Sequence, residues 1–218
     1  MSEDQPAFKS WLLNYRAVQH SLDEVSYHEG IEMLKSELPG FWNEIYTENL
    51  DRTAELSRLE SGGFFYIYDD YDTMVAQGRH TDDRSSESRL VVAFGHSTPP
   101  THLRKEDDRR LKGWLGSTEQ RFGRNFDKGH YIAHSIGGAV DRAEFNVFVQ
   151  LRTFNRGWSE AGKPYRKMEN YCKEQVGVFC FSRPFYSDKS SRPSWVEFGV
   201  LRLDGQLWVE IFDNRPPV

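Results

Sequence analysis

The chain has 218 residues, of which 38% are hydrophobic and 28% charged, and a formal net charge of −5. That length suits one domain, or one domain with a helical extension, and the composition belongs to a folded globular chain. No run of about 18 apolar residues occurs, so no membrane-spanning helix and no membrane partner are expected. The acidic start Met1-Ser2-Glu3-Asp4 lacks the basic-then-apolar order of a secretory signal. The expected location is cytoplasmic, and a signal-less export route would leave no trace in the sequence. Two cysteines, Cys172 and Cys180, do not make a disulfide framework.

The charge is unevenly spread. Residues 1–61 hold 12 acidic and 5 basic side chains, a net of −7, and residues 62–218 hold 21 and 23, a net of +2. Residues 102–128 carry eight Lys/Arg against five Asp/Glu. A local basic surface is what phosphate binding needs, whatever the global sign. A solvated charged loop is the plain alternative.

In chain order, residues 7–60 read as helices. Phe8, Leu12, Tyr15, Val18 and Leu22 recur at helical spacing, as do Ile31, Leu34 and Leu38. Pro39-Gly40 punctuates the pattern, Phe41, Ile45 and Leu50 resume it, and Ser61-Gly62-Gly63 ends it. Such stripes pack on something: the rest of this chain, a second copy in a homodimer, or a partner protein. Residues 1–61 are therefore read as a helical segment with a regulatory, docking or packing role, and 62–218 as the functional domain. Phe64–Tyr68 and Leu90–Phe94 are short β-rich runs, with a polar loop over residues 79–88 between them. Pro99-Pro100 opens a second charged stretch. Gly177–Phe181 is a further strand, and Pro164 starts a helix over residues 164–174. Residues 196–203 and 206–212 flank Asp204-Gly205 and predict a hairpin closed by a type I′ turn. The order predicts an α+β fold with an antiparallel sheet.

The chemistry-bearing residues crowd between Asp127 and Glu169. The stretch begins Asp127-Lys128-Gly129-His130-Tyr131-Ile132-Ala133-His134-Ser135-Ile136-Gly137-Gly138. It continues Glu144-Phe145-Asn146-Val147-Phe148-Val149-Gln150 and Phe154-Asn155-Arg156-Gly157-Trp158, then Tyr165-Arg166-Lys167-Met168-Glu169. Phosphodiester hydrolysis needs a water deprotonated near neutral pH, which suits histidine. It also needs the added charge on phosphorus stabilised, which suits Mg²⁺ and basic side chains. Mg²⁺ takes oxygen ligands and keeps several waters, so one amide or carboxylate can anchor it. His130, Asn155, Glu169 and either Lys128 or Arg156 supply one group of each type.

This stretch resembles the DNA/RNA non-specific endonucleases of the ββα-metal class, a family that includes secreted bacterial sugar-non-specific nucleases and mitochondrial endonuclease G. The family signature is Asp-Arg-Gly-His, an Asn shortly before a Gln, a second Asn nine residues after the first, then a Trp and a Glu on a helix. Here these are His130, Asn146 with Gln150, Asn155, Trp158 and Glu169. The Gly-His-x-Ile-Ala…Gly-Gly form resembles a toxin-like bacterial branch. About 45 residues match closely, and residues 62–218 loosely.

The resemblance implies a Mg²⁺-dependent endonuclease, with Mn²⁺ as the alternative ion, acting on DNA, RNA or both, as a toxin or defence effector. It makes His130 the general base and Asn155 the direct metal ligand. Asn146 would orient His130 or the active-site loop, and Glu169 would hold a metal-bound water. Lys128 stands where the family has Arg, keeping the charge without the planar fork. The usual Pro-Ala-x-x-Asp after the His is replaced by Ile132-Ala133-His134. Ser159–Pro164 separates Asn155 from Glu169, so Glu160 competes with Glu169. An inhibitor or immunity protein is the implied partner of such a nuclease.

Other readings are poorer. His130 and His134 with the two cysteines invite zinc, but the cysteine spacing is poor. Cys180 and Trp158 read as core, and Arg156 as a solvated arginine. No Gly-x-Ser-x-Gly elbow, Walker loop or dinucleotide fingerprint occurs. A catalytically inactive nuclease-like fold serving as a binding or assembly module is the alternative function.

Overall fold

The computed structural model describes residues 13–50, 56–69, 89–100, 123–139, 144–160, 162–187 and 192–216, with the side chains of 41 and 43–50 excepted. The loop expected at 79–88, the charged stretch 101–122 and the stripe positions Phe8 and Leu12 lie outside them, as do the side chains of Phe41, Ile45 and Leu50.

Two helices come first, α1 (Tyr15–Asp23) and α2 (Tyr27–Leu50). Asn14 caps α1 by accepting from the Ala17 N–H at 3.2 Å, and Glu29 closes back on the Ser26 N–H at 2.9 Å ahead of α2. The helix runs through Pro39 rather than breaking there. Leu34, Leu38 and Trp42 are fully buried on one face, and that burial outweighs the ladder bond proline cannot make.

The strands are β1 (Leu56–Ser61), β2 (Phe64–Asp69), β3 (Arg89–His96), β4 (Phe126–His130), β5 (Val147–Leu151), β6 (Phe179–Phe185), β7 (Trp195–Leu201) and β8 (Leu207–Asp213). Residues 56–60, expected to be helical, are thus an edge strand. The expected strand at 177–181 begins two residues later and runs to Phe185. Six strands form one antiparallel sheet in the order β1-β2-β3-β6-β7-β8, and β4 and β5 pair separately. The fold is α+β with an antiparallel sheet.

The type I′ signature falls elsewhere than expected. Ser61 pairs with Phe64, and Gly62 and Gly63 between them sit at φ 64° and 82°, so both central residues of this two-residue turn are left-handed. At the β7–β8 hairpin the Gly205 N–H donates to the Arg202 carbonyl at 2.9 Å. Leu203 and Asp204 are therefore the central pair, with left-handed Gly205 following as a bulge.

Both sheet faces are covered. On one, Leu22, Ile31, Leu34, Leu38 and Trp42 pack against Val92, Phe94, Phe179, Phe181 and Trp195. Polar ties fix the dock: Trp42 Nε1 donates to Asp69 at 2.9 Å, and Gln19 bridges the Gly205 carbonyl and the Leu207 N–H. The helical stripes therefore pack on the rest of this chain. The cross-strand pair Arg183–Glu197, 2.8 Å apart and fully buried, lies on this side, with Arg183 also donating to the Tyr15 hydroxyl at 3.3 Å.

On the other face, the β4–β5 pair, a short helix α3 (Arg152–Asn155) and a helix α4 (Gly162–Glu174) pack through Tyr131, Phe148, Phe154, Tyr165 and Met168. Helix α4 starts two residues before the expected 164. Ser159 caps it by accepting from the Gly162 N–H at 2.8 Å, and Gly162–Pro164 belong to the helix itself. No described helix is long and apolar enough to cross a membrane.

Candidate active site

Strand β4 ends at His130, where the chain turns into the segment 131–139. Asn146 fixes that turn. Its Oδ1 accepts from the Ile132 N–H at 2.9 Å, and its Nδ2 donates to the carbonyls of Ile132 and Ala139, each at 2.8 Å. The Asn146 carbonyl accepts from the Tyr131 N–H at 3.0 Å. Asn146 is wholly buried. Its amide reaches the loop backbone rather than the cavity described below.

Beneath His130, Gly129 lies opposite Phe148 in the ladder, with the Gln150 side chain laid across it. A Cβ at position 129 would fall 1.8 Å from Gln150 Oε1, so only glycine fits under that amide.

Strand β5 leads directly into α3. Asp127, on the neighbouring strand, holds that helix. It accepts from Arg152 Nε at 3.0 Å, Arg156 Nε at 2.8 Å, Arg156 Nη2 at 3.3 Å and Asn155 Nδ2 at 3.4 Å. Burial raises the Asp127 carboxyl, but these donors together outweigh it and hold the group below its ordinary range. With its Nδ2 on Asp127, Asn155 keeps its oxygen for the cavity. Arg156, expected to be solvated, is half-exposed and engaged. The sequence offered no sign of this cluster, since its members lie 25–29 residues apart.

Helix α4 supplies Glu169. Arg166, one turn earlier, donates to Glu169 Oε2 at 2.7 Å and to the Asn155 carbonyl at 2.7 Å, joining α4 to α3. Burial pushes the Glu169 carboxyl up from its ordinary value, with Arg166 opposing.

These elements enclose a cavity of about 230 Å³ lined by His130, His134, Gln150, Asn155, Arg166 and Glu169, among others. Three of the residues expected to carry chemistry, His130, Asn155 and Glu169, thus meet in one place. Lys128 and Asn146 are not among its lining residues. Lys128 leaves the same strand face as His130, two positions earlier, and burial lowers its pKa. Glu160 also stands outside, 90% exposed at its side chain and paired with Lys163, so of the two competing glutamates only Glu169 faces the cavity.

Gln150 is a lining residue that sequence reasoning used only as a spacing mark. Its Nε2 is buried and meets no acceptor among the described residues. A polar residue in the run Val147-Phe148-Val149-Gln150-Leu151 was the available signal. Trp158, expected in the core, is 66% exposed. Cys172, on α4, and Cys180, on β6, are fully buried in the core and do not line the cavity, which removes them from any zinc site with His130 and His134. Among the described residues, no group of three or more His, Cys, Asp or Glu is placed to hold a metal ion.

The groups that line the cavity include the Asn155 amide, the Glu169 carboxylate and the imidazoles of His130 and His134, with the buried Gln150 amide N–H donor. Oxygens from Asn155 and Glu169 fit a hard, partly hydrated cation, and the Gln150 donor fits an anionic oxygen.

No family model matches the chain, and no curated protein matches it. Among solved structures it is similar to one described as Sda1 nuclease with bound zinc ion, at 21% identity over 75% of this chain and 74% of that one, TM-score 0.38. It is also similar to an extracellular endonuclease, at 13% identity over 76% and 80% of the two chains, TM-score 0.36. Both TM-scores are under 0.5.

Proposed function

We propose that the chain is a metal-dependent endonuclease that hydrolyses phosphodiester bonds of DNA, RNA or both. The observation that carries this is the convergence of His130, Asn155 and Glu169 on one polar cavity, with the buried Gln150 donor beside them. The succession β4, β5, α4 around that cavity supports a ββα-metal arrangement.

In this reading His130 takes the proton from the attacking water. Asn155 and Glu169 would hold the cation, Mg²⁺ or Mn²⁺. When bound, that ion neutralises charge building on the phosphate. Gln150 Nε2 donates to a phosphate oxygen, and Lys128 contacts the backbone phosphate next to the cavity. Asn146 acts by holding the loop after His130. A toxin or defence role, restrained by an inhibitor or immunity protein, is the biological setting this chemistry fits.

One observation favours a second reading, a binding or assembly module without turnover: Glu169 is buried and already engaged by Arg166. Incubation of plasmid and total RNA with Mg²⁺ or with EDTA, beside His130→Ala, separates the two. Mg²⁺-dependent cleavage that His130→Ala abolishes is expected. No cleavage, or full cleavage by His130→Ala, sinks the enzymatic reading.

A further inference from the structure

We propose that a single strand of nucleic acid leaves the cavity along the groove between α4 and the β7–β8 hairpin, with an unstacked base resting on Trp158. The inference rests on the nuclease reading above and names the form of its substrate.

The groove has a volume of about 880 Å³ and shares Arg166 with the cavity, so that side chain borders both. Tyr171 and Trp208 line it, in edge contact at 6.3 Å between centroids. Lys167 lies 5.9 Å over the Trp208 ring, and Arg202 5.4 Å over Tyr171. Its charged lining is Lys163, Arg166, Lys167 and Arg202 against the single carboxylate of Glu174. Glu160, Glu169 and Asp204 offset three of those cations, whereas no ion pair engages Lys167 among the described residues. The balance is complementary to a phosphate backbone, and the aromatic rings are complementary to bases.

Trp158 is close in the chain to both linings. It follows Gly157, which lines the groove, and comes three residues after Asn155, which lines the cavity. It is the most exposed large apolar side chain among the described residues, at 66%. Behind its ring lies the Arg156 guanidinium, 5.0 Å from the centroid and itself held by Asp127 at 2.8 Å. The indole is thus backed on a fixed support and open to solvent, which is the form of a stacking platform. A base in an intact duplex is stacked on its neighbours and cannot reach it, whereas a base in a single strand can.

The test is fluorescence anisotropy in EDTA, where nothing is cleaved, using labelled dT20, an abasic 20-mer of the same charge and a 20-base-pair duplex. Wild type is expected to bind dT20 more tightly than the duplex. Trp158→Ala should weaken dT20 binding about tenfold and leave the abasic strand unchanged, because only stacking is lost. Lys167→Glu should weaken both strands and flatten the salt dependence. Both positions are on the surface, and a thermal melt verifies folding. Equal dT20 affinity for Trp158→Ala and wild type overturns the proposal, as does preference for the duplex. Binding that behaves as expected in a protein that cleaves nothing sinks only the catalytic reading. Cleavage with unchanged Trp158→Ala binding sinks only this one.

Discussion

Asp127→Ala isolates the support of the Asn155 amide, the proposed cation ligand, from the amide itself. The carboxylate is 17% exposed at its side chain and receives Arg152, Arg156 and Asn155 at 2.8–3.4 Å. Charge-assisted bonds contribute about 1.5–3 kcal/mol when buried, but Arg152 and Arg156 are 31% and 43% exposed, so solvent screening applies. The loss is expected at about 1–2 kcal/mol, or roughly 2–8 °C in Tm for a chain of this size. The effect on function should be larger, because the Asn155 amide is then free to rotate. Loss of such a support lowers metal affinity or activity about 10- to 100-fold. The readout is cleavage rate against Mg²⁺ concentration at a temperature where the variant is folded. A rise in the Mg²⁺ requirement, partly recovered at saturating Mg²⁺, marks a positioning role. An unchanged Mg²⁺ profile per folded molecule would refute it. The pH dependence carries its own sign. The folded carboxyl lies below the ordinary 3.8, so its stabilisation is present above that value and is lost as pH falls through the lowered one. The Tm gap between wild type and Asp127→Asn should therefore be flat from about pH 5 to 8 and close only in stronger acid.

Glu169→Gln should lose cleavage yet gain Tm relative to wild type as pH rises. Burial holds the carboxyl above its ordinary 4.5, so its contribution to stability is full below that value and declines as pH climbs through the raised one. Melts at pH 4 and pH 7.5 giving the same wild-type-to-variant difference would contradict this. Glu197→Ala should cost about 3–5 kcal/mol in urea unfolding by stranding fully buried Arg183, whereas the double change Arg183→Met with Glu197→Leu should recover most of that; a double variant as unstable as the single one would show that packing, not charge, decides there. Asn214→Ala should cost about 3 kcal/mol, because its amide accepts from the Leu151 N–H at 2.6 Å and donates to the carbonyls of Val149 at 2.8 Å and Pro193 at 2.7 Å. A loss under about 1 kcal/mol would mean those groups find other partners.

What the sequence disclosed follows from where burial is periodic. The stripe Ile31, Leu34, Leu38 and the runs at 64–68 and 90–94 were legible because one face or both faces are packed. Leu56–Ser61 was not. As an edge strand it buries little on either face, with Leu56 at 40% and Leu59 at 43% exposure, and its place is set by backbone bonds to β2 that leave no side-chain pattern. The Gly62-Gly63 pair was visible as punctuation, but a helix end and a two-residue turn use the same residue. In the site, His130, Asn155 and Glu169 were singled out by residue type and by the family resemblance, and their meeting in one cavity could not be read from spacing alone. Trp158 was misread because a tryptophan's composition favours the core, while its exposure depends on which way a two-residue connection past α3 turns.

A polar cavity cannot be held in shape by apolar contact alone, since dispersion and burial have little direction. Here the apolar core sets the layers, and single polar side chains then fix the segments that line the cavity. Asn146 spans the loop after His130 by three bonds, Asp127 grips α3, Arg166 ties α3 to α4, and Asn214 joins the end of β5 to the end of β8. Each satisfies backbone or side-chain groups of the segments it joins, so each is both structural and directional. That division explains why Asn146, at the family interval from Asn155, stands outside the cavity. Its bonds go to the backbone of Ile132 and Ala139, so what it fixes is the chain that follows His130.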